Sequence, residues 1–318
     1  MSKLRMVQNF FQGAQESRLV RTFQNLFSKI LIISIPYGWH ILFFLIPFAI
    51  VFFLSFSQSV LQSPPYLPIM EFLDESFINI RLNIGNYKAL WHDSIYINSY
   101  IESIRTALIA TLGCLLLGYP LAYGITQSTP IARTIFLMLV ILPFWTSFLV
   151  RVYAWMGILG SGGPVNSLLM NLGIISEPIA ILNTNFAVIL GLIYSYLPFM
   201  VLPLYASLEK IDRTLLEAAY DLGCKPFTAF FKIVVPLSYR GIVGGSMLVF
   251  IPGVGEYVIP ALLGGSDSLM IGKVLWNEFF VNHDWPLAAA LVMTLFSFLV
   301  IPLILLQKSL SRIQGEEA

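Results

Sequence analysis

The stretch EAAYDLGCKPFTAFFKIVVP, residues 217–236, is a polar and charged island in a chain otherwise written for lipid. It reads as two short helices joined by a turn. Asp212 or Thr214 can cap the first helix, and Thr214 with Glu217 has the Thr-x-x-Glu spacing in which each side chain satisfies an orphan backbone donor. Gly223 supplies the left-handed residue that stops a helix, and Pro226 suits the first position of the next. Leu215, Ala219 and Leu222 share one face of the first helix, while Phe227, Phe230, Phe231 and Val234 share one face of the second. Both faces need something to bury against. Small Ala218 and Ala219 beside an acid let another backbone approach closely, as a knob enters a cleft.

Around the island the composition is that of an integral membrane protein. Of 318 residues, 57% are hydrophobic and 11% charged, with a mean hydropathy of +0.80. A soluble domain carries roughly 25% charged residues. With about 20 apolar residues needed per crossing, spans fall near 32–57, 99–125, 134–159, 185–208, 240–263 and 286–307. These runs are too long and too evenly apolar for the alternating strands of a barrel, so the expected class is all-α: a polytopic membrane protein with six transmembrane helices.

Six crossings place both termini on one side. That side holds thirteen Lys and Arg residues, the other only Arg81, Lys88 and Lys273, so the termini and the island are expected in the cytoplasm. No cleavable signal peptide is visible, and residues 6–30 read as an amphipathic helix on the inner surface. The organisation expected is a cytoplasmic segment at 1–31, a first span with its outer loop at 32–98, a core at 99–308 containing the cytoplasmic loop 209–239, and a cytoplasmic tail at 309–318. The first span wraps the outside of a five-helix core. Its loop, rich in Pro64, Pro65 and Pro68, is expected to include short helices, and in the loop 160–184, which begins with the GSGGP turn, the apolar run LLMNLGIISEPIAIL (168–182) reads as a surface helix. The outer loops carry eight acids against three bases, a field that would steer a cation, although positive-inside orientation alone produces much of that bias.

Within the spans Glu256 stands out, in IPGVGEYVIP at mid-depth of the fifth. An acid at the centre of a lipid-facing helix costs roughly 2.5–3.5 kcal/mol, so this one is expected to face a cavity or a partner. Pro252, Gly253, Gly255 and Pro260 can break the helix where backbone lines a path. One reading makes Glu256 a carboxylate that accepts a substrate ammonium. The other makes it structural, paired with Arg105 or Arg151 or set at the contact with a partner. Tyr257 and Trp145 offer aromatic faces worth roughly 0.5–2 kcal/mol each to an ammonium, though Trp and Tyr also serve as interfacial anchors. Arg151 either pairs with an acid at a gate or snorkels outward, and Arg105 makes an i,i+3 ion pair with Glu102. Cys114 and Cys224, in a span and in the island, do not suggest a disulfide, and the three histidines show no metal-ligand spacing. No G-x-x-x-x-G-K-[ST] loop is present to cradle ATP, nor is any catalytic constellation.

The order Glu-Ala-Ala, three residues, Gly223, nine residues, Ile233, one residue, Val235-Pro236 resembles the EAA loop of binding-protein-dependent ABC importer permeases. Val235 departs from the Leu that this family favours. The resemblance covers about residues 90–310, and LPFWTSFLVRVYAWMGIL (142–159) and FIPGVGEYVIPALLGGSDSLMIGKVL (250–275) look like segments of its spermidine and putrescine members. It implies an all-helical permease fold with cytoplasmic coupling helices, in a bacterial inner membrane. It implies four kinds of partner: a second homologous permease, a dimer of ATPase subunits, a substrate-binding protein outside, and lipid. It implies no cofactor in this chain, since ATP and Mg belong to the ATPase. Glu217, Ala218, Ala219, Gly223, Ile233 and Pro236 become the ATPase-coupling residues, and Glu256, Tyr257 and Trp145 the substrate path. The rivals are the same machinery carrying thiamine, ferric iron or phosphonate, and a secondary transporter working without ATP. An anion carrier would line its path with bases rather than Glu256, and a secondary transporter would work as this chain alone.

Overall fold

The computed structural model describes residues 33–74, 77–266 and 268–315. The segment 1–31 and its expected amphipathic helix lie outside the described residues, as do Glu75 and Asp267 of the outer acidic set. Among the described residues three helices are each long and apolar enough to cross a bilayer: Ile33–Leu54 (α1), Ser94–Gln127 (α3) and Asn185–Leu208 (α7). Asp93 starts α3 by accepting from the Ile95 amide at 2.9 Å, and Thr184 starts α7 by accepting from Ala187. At about 1.5 Å per residue the 34-residue α3 is some 50 Å long, well beyond a hydrocarbon core of about 30 Å. Its ends therefore reach both surfaces.

Helices α3 and α7 pack together and against Tyr239–Val254 (α10) to form the centre of the molecule. Close approach depends on missing side chains. A Cβ at Gly241 would lie 2.8 Å from the Pro203 carbonyl oxygen, and one at Gly245 would lie 3.1 Å from that of Met200. These two positions, one turn apart, let α10 ride against the backbone of α7, the small-residue packing that holds helices together where hydrophobic exclusion gives no drive. Met200, Val201 and Leu204 of α7 are fully buried there with Cys114 and Ala122 of α3. Helix α1 lies outside this core. Its apolar side chains are largely exposed, and it meets the terminal helix Trp285–Gly315 (α13), where the Phe48 and Phe296 rings are 4.8 Å apart.

The remaining elements depart from straight spans. The run expected at 134–159 is two helices: Pro130–Ile141 (α4), extended by a 3-10 turn to Trp145, and Phe148–Leu159 (α5), which leads into Pro164–Asn171 (α6). The two halves bend by 92° at Thr146–Ser147. Pro143 lacks the N–H that would continue the helix, and the chain opens three residues later. The run at 240–263 also breaks: α10 ends at Val254 and a one-turn helix, Val258–Leu262 (α11), resumes after Gly255–Tyr257. The loop expected to hold short helices contains one, Gly85–His92 (α2), preceded by two antiparallel hairpins, Gln58–Ser59 (β1) with Tyr66–Leu67 (β2) and Met70–Asp74 (β3) with Phe77–Ile80 (β4). The prolines stand outside the strands, Pro64 and Pro65 in the turn that joins β1 to β2 and Pro68 in the link that follows β2. The surface helix expected over 168–182 is confined to α6, which ends at Asn171: Gly173, at φ +70°, stops it, and the chain continues as turns and coil. Buried Asn166 anchors α6, its amide bridging Gly160 and Ile179.

Candidate functional site

The island folds as Arg213–Asp221 (α8) and Pro226–Leu237 (α9), the latter with a π-helical stretch at Phe230–Val234. Asp212 caps α8, its Oδ1 accepting from the Thr214 amide at 3.0 Å. That amide, and next the Thr214 hydroxyl, hold the Asp212 carboxyl below the usual carboxylate range. The Thr214–Glu217 capping box does not form: Glu217 is exposed and left to face outward, because Asp212 already occupies the cap. Gly223 has φ +79°. Its N–H donates to Tyr220 at 2.8 Å and that of Cys224 to Ala219 at 2.9 Å, the paired closure of a Schellman turn.

Only part of each apolar face is covered. Ala219 is buried, with Phe230 and Val234 packed on the core, but Leu222 is 89% and Phe227 75% exposed, with Leu215 and Phe231 also open. Ala218 is exposed beside Glu217, Ile233 is half-buried, and exposed Pro236 stands just before the 66° bend from α9 into α10 at Ser238. The six positions assigned to coupling from the sequence thus lie on these two helices and the turn between them, beside an unburied apolar rim.

The second site is the break at Gly255–Tyr257. Glu256 Oε1 accepts from the amides of Val258 at 2.9 Å and Ile259 at 3.4 Å, and its Oε2 accepts a short hydrogen bond from the Tyr196 hydroxyl of α7. The carboxylate therefore caps α11. Neither arginine considered from sequence pairs with it. Arg105 turns to Glu102 at 3.7 Å, and the Arg151 guanidinium lies 5.8 and 5.7 Å from the Phe144 and Phe148 ring centres, with Nε and Nη1 buried and unpartnered among the described residues. The unwound backbone fits tightly: a Cβ at Gly272 would lie 2.5 Å from the Glu256 carbonyl oxygen and 2.6 Å from that of Gly255. Gly272 belongs to Ile271–Trp276 (α12), whose first amide donates to Ser103 Oγ of α3 at 2.7 Å.

Tyr257 stacks on Trp276 at 4.4 Å and 12°, and Trp276 continues to Phe280 at 4.1 Å. Trp145 is 83% exposed at the end of its 3-10 turn, and it is its neighbour Phe144 that joins the Glu256 cluster, through Phe199 at 5.1 Å and then Tyr196 at 6.0 Å. Trp276 and Phe199 carried no local signal, since neither sits in a motif and both gain meaning only from distant partners.

The polar two-helix loop between apolar helices and the polar break within one suit a membrane transport subunit, and the chain belongs to the binding-protein-dependent transport system inner membrane components, whose family model matches residues 17–312. It is 40% identical over 271 residues to the spermidine/putrescine transport system permease protein PotB of Haemophilus influenzae, covering 85% of this chain and 90% of that protein. PotB of Escherichia coli K12 is likewise 40% identical, over 81% of this chain and 89% of its own length. In structure the chain is similar to a bacterial alginate ABC transporter in complex with an alginate pentasaccharide-bound periplasmic protein, with a TM-score of 0.69 at 14% identity over 93% of this chain and 98% of that one. At that identity the likeness speaks for the fold alone.

Proposed function

We propose that this chain is a transmembrane subunit of an ATP-driven ABC importer for polyamines of the putrescine and spermidine class. It forms half of the pathway with a second permease and takes energy from a separate ATPase dimer that binds ATP and Mg, while an extracytoplasmic binding protein delivers the cargo. It crosses the bacterial inner membrane six times, counting each bent pair as one crossing and α13 as the last, with both termini and the loop 209–239 in the cytoplasm. Residues 99–308 are the working core, 32–98 a peripheral span and outer loop.

The observation that carries the transport reading is the loop 212–238. Two short helices, fixed in angle by Gly223, present Leu222, Phe227 and Phe231 without cover while Ala219, Phe230 and Val234 anchor them. Apolar groups left open on a charged, water-facing segment mark an interaction surface. Here Glu217, Ala218, Ala219, Gly223, Ile233 and Pro236 seat the loop in a cleft of the ATPase. The polyamine assignment follows the PotB relatives, with 40% identity over most of both chains. In the path, Glu256 meets an ammonium of the cargo, Tyr257 presents its ring from the stack on Trp276, and Trp145, with its open indole, faces the path from the bend at Thr146–Ser147. The test is hydrolysis of ATP by the reconstituted complex, challenged with amines and anions.

A further inference from the structure

We propose that α3 is the helix the coupling loop drives, through contacts along one face of its last turns, with Arg213 and Tyr119 as positioning residues. The proposal rests on reading 212–238 as the loop that docks the ATPase.

The loop is covalently continuous with α7 and α10, so motion of those two helices needs no special contact. Helix α3 is remote in sequence, yet it is gripped at three points. Tyr119, Tyr123 and Thr126 fall at i, i+4 and i+7, on one helix face. Phe230 of α9 stands edge-on to the first two rings, at 5.5 Å from Tyr119 and 5.4 Å from Tyr123. The Tyr119 hydroxyl pairs at 2.7 Å with Oγ of Ser238, the buried residue at the bend between α9 and α10.

The third grip is polar. The Thr126 carbonyl lies in the last turn of α3, where helix carbonyls lack intrahelical donors. It accepts from Nη2 of Arg213, the first residue of α8, at 2.9 Å, and from Nη2 of Arg133 in α4, also at 2.9 Å. Nη1 of Arg133 in turn binds the carboxylate of Glu209 at the C-terminus of α7. One carbonyl thus joins the ends of α3 and α7 to the starts of α4 and α8. Two cations at the negative end of α3 also oppose its dipole, and such charge-assisted bonds are stronger than neutral ones. Above the knot, Pro120 lacks an N–H, so the helix there has lost a ladder bond and bends at least cost. A push on α8 or α9 cannot be taken up at the loop; it moves the end of α3 about Pro120 or breaks the knot.

The test uses the complete transporter in vesicles, with labelled putrescine and spermidine uptake and ATP hydrolysis measured on the same preparation. Arg213→Gln is expected to leave the ATPase bound and hydrolysing while uptake per ATP falls about tenfold, the loss of one charge-assisted bond. Arg213→Lys, which keeps a charged donor, recovers most of the ratio. Tyr119→Phe keeps the ring against Phe230, loses the Ser238 bond, and lowers the ratio in the same direction; it carries the readout if Arg213→Gln fails to insert. Unchanged uptake per ATP in the intact variants overturns the proposal, as does a proportional fall in uptake and hydrolysis. Loss of the ATPase from the Arg213→Gln complex makes Arg213 a docking contact, which overturns the role of α3 but leaves the coupling loop standing. A bulky residue at Ala218 that disturbs neither assembly nor uptake removes the coupling loop itself.

Discussion

A carboxylate at a helix break can cap the next helix, bind a passing cation, or do both, and different substitutions separate the roles. Glu256→Gln keeps one oxygen for the Val258 and Ile259 amides, presents an NH2 that donates to the Tyr196 hydroxyl where the carboxylate accepted from it, and removes the charge. A contact between that charge and an ammonium is worth about 1–3 kcal/mol, so polyamine uptake should fall roughly five- to a hundred-fold with assembly intact. Unchanged uptake would leave Glu256 as a cap alone. Glu256→Ala should lose both roles, and the purified complex should fall apart or melt earlier. The break itself was legible, because four Pro and Gly residues crowd around one acid in ten positions. The partner was not. Tyr196 lies 60 residues away, and nothing local distinguishes it from the other aromatics of its helix. The arginines misled for a related reason: Arg105 satisfies itself at i,i+3, and Arg151 rests on Phe144 and Phe148 rather than on an acid.

At the level of elements, Gly223 and the α7–α10 contact make opposite demands on glycine. Gly223 is needed for its backbone: at φ +79° proline, fixed near −65°, cannot stand, and it would also delete the N–H that bonds Tyr220. Gly223→Pro is expected to leave membrane content normal and to abolish co-purification of the ATPase, checked by pull-down; retention of both ATPase and uptake would show that this turn does not set the coupling geometry. Gly245 is needed for its lack of a side chain. Leucine there would meet the Met200 sulfur and carbonyl and force α7 from α10, at a cost of about 1–3 kcal/mol. At Gly244, where the space is open, leucine should be tolerated, so the melting temperatures of the two variants should differ clearly. The helical stop at Gly223 and the start at Pro226 were readable from residue type alone. The bend at Thr146–Ser147 was not, because neither residue is a strong breaker and the cause, Pro143, sits inside an apolar run. The residue types left Asp212 and Thr214 both open as the cap of α8, and Asp212 takes it.

For the whole molecule the reading makes this chain a conduit without a motor. Reconstituted alone, it is expected neither to hydrolyse ATP nor to accumulate putrescine or spermidine; active uptake by this subunit alone would refute the ABC mechanism. Class and the long apolar helices α1, α3 and α7 could be read from hydropathy, since lipid demands such helices whatever the function, whereas the bend within the run at 134–159 could not. How those helices meet could not, because it depends on pairs such as Gly245 with Met200 and Arg213 with Thr126 that lie far apart in sequence.

The most direct measurement is ATP hydrolysis by the complete complex, with its binding protein, across a panel of putrescine, spermidine, thiamine, ferric ion and phosphonate. Stimulation by the two polyamines and by none of the others is the predicted result. Stimulation by an anion or by thiamine, with the polyamines inert, would contradict it.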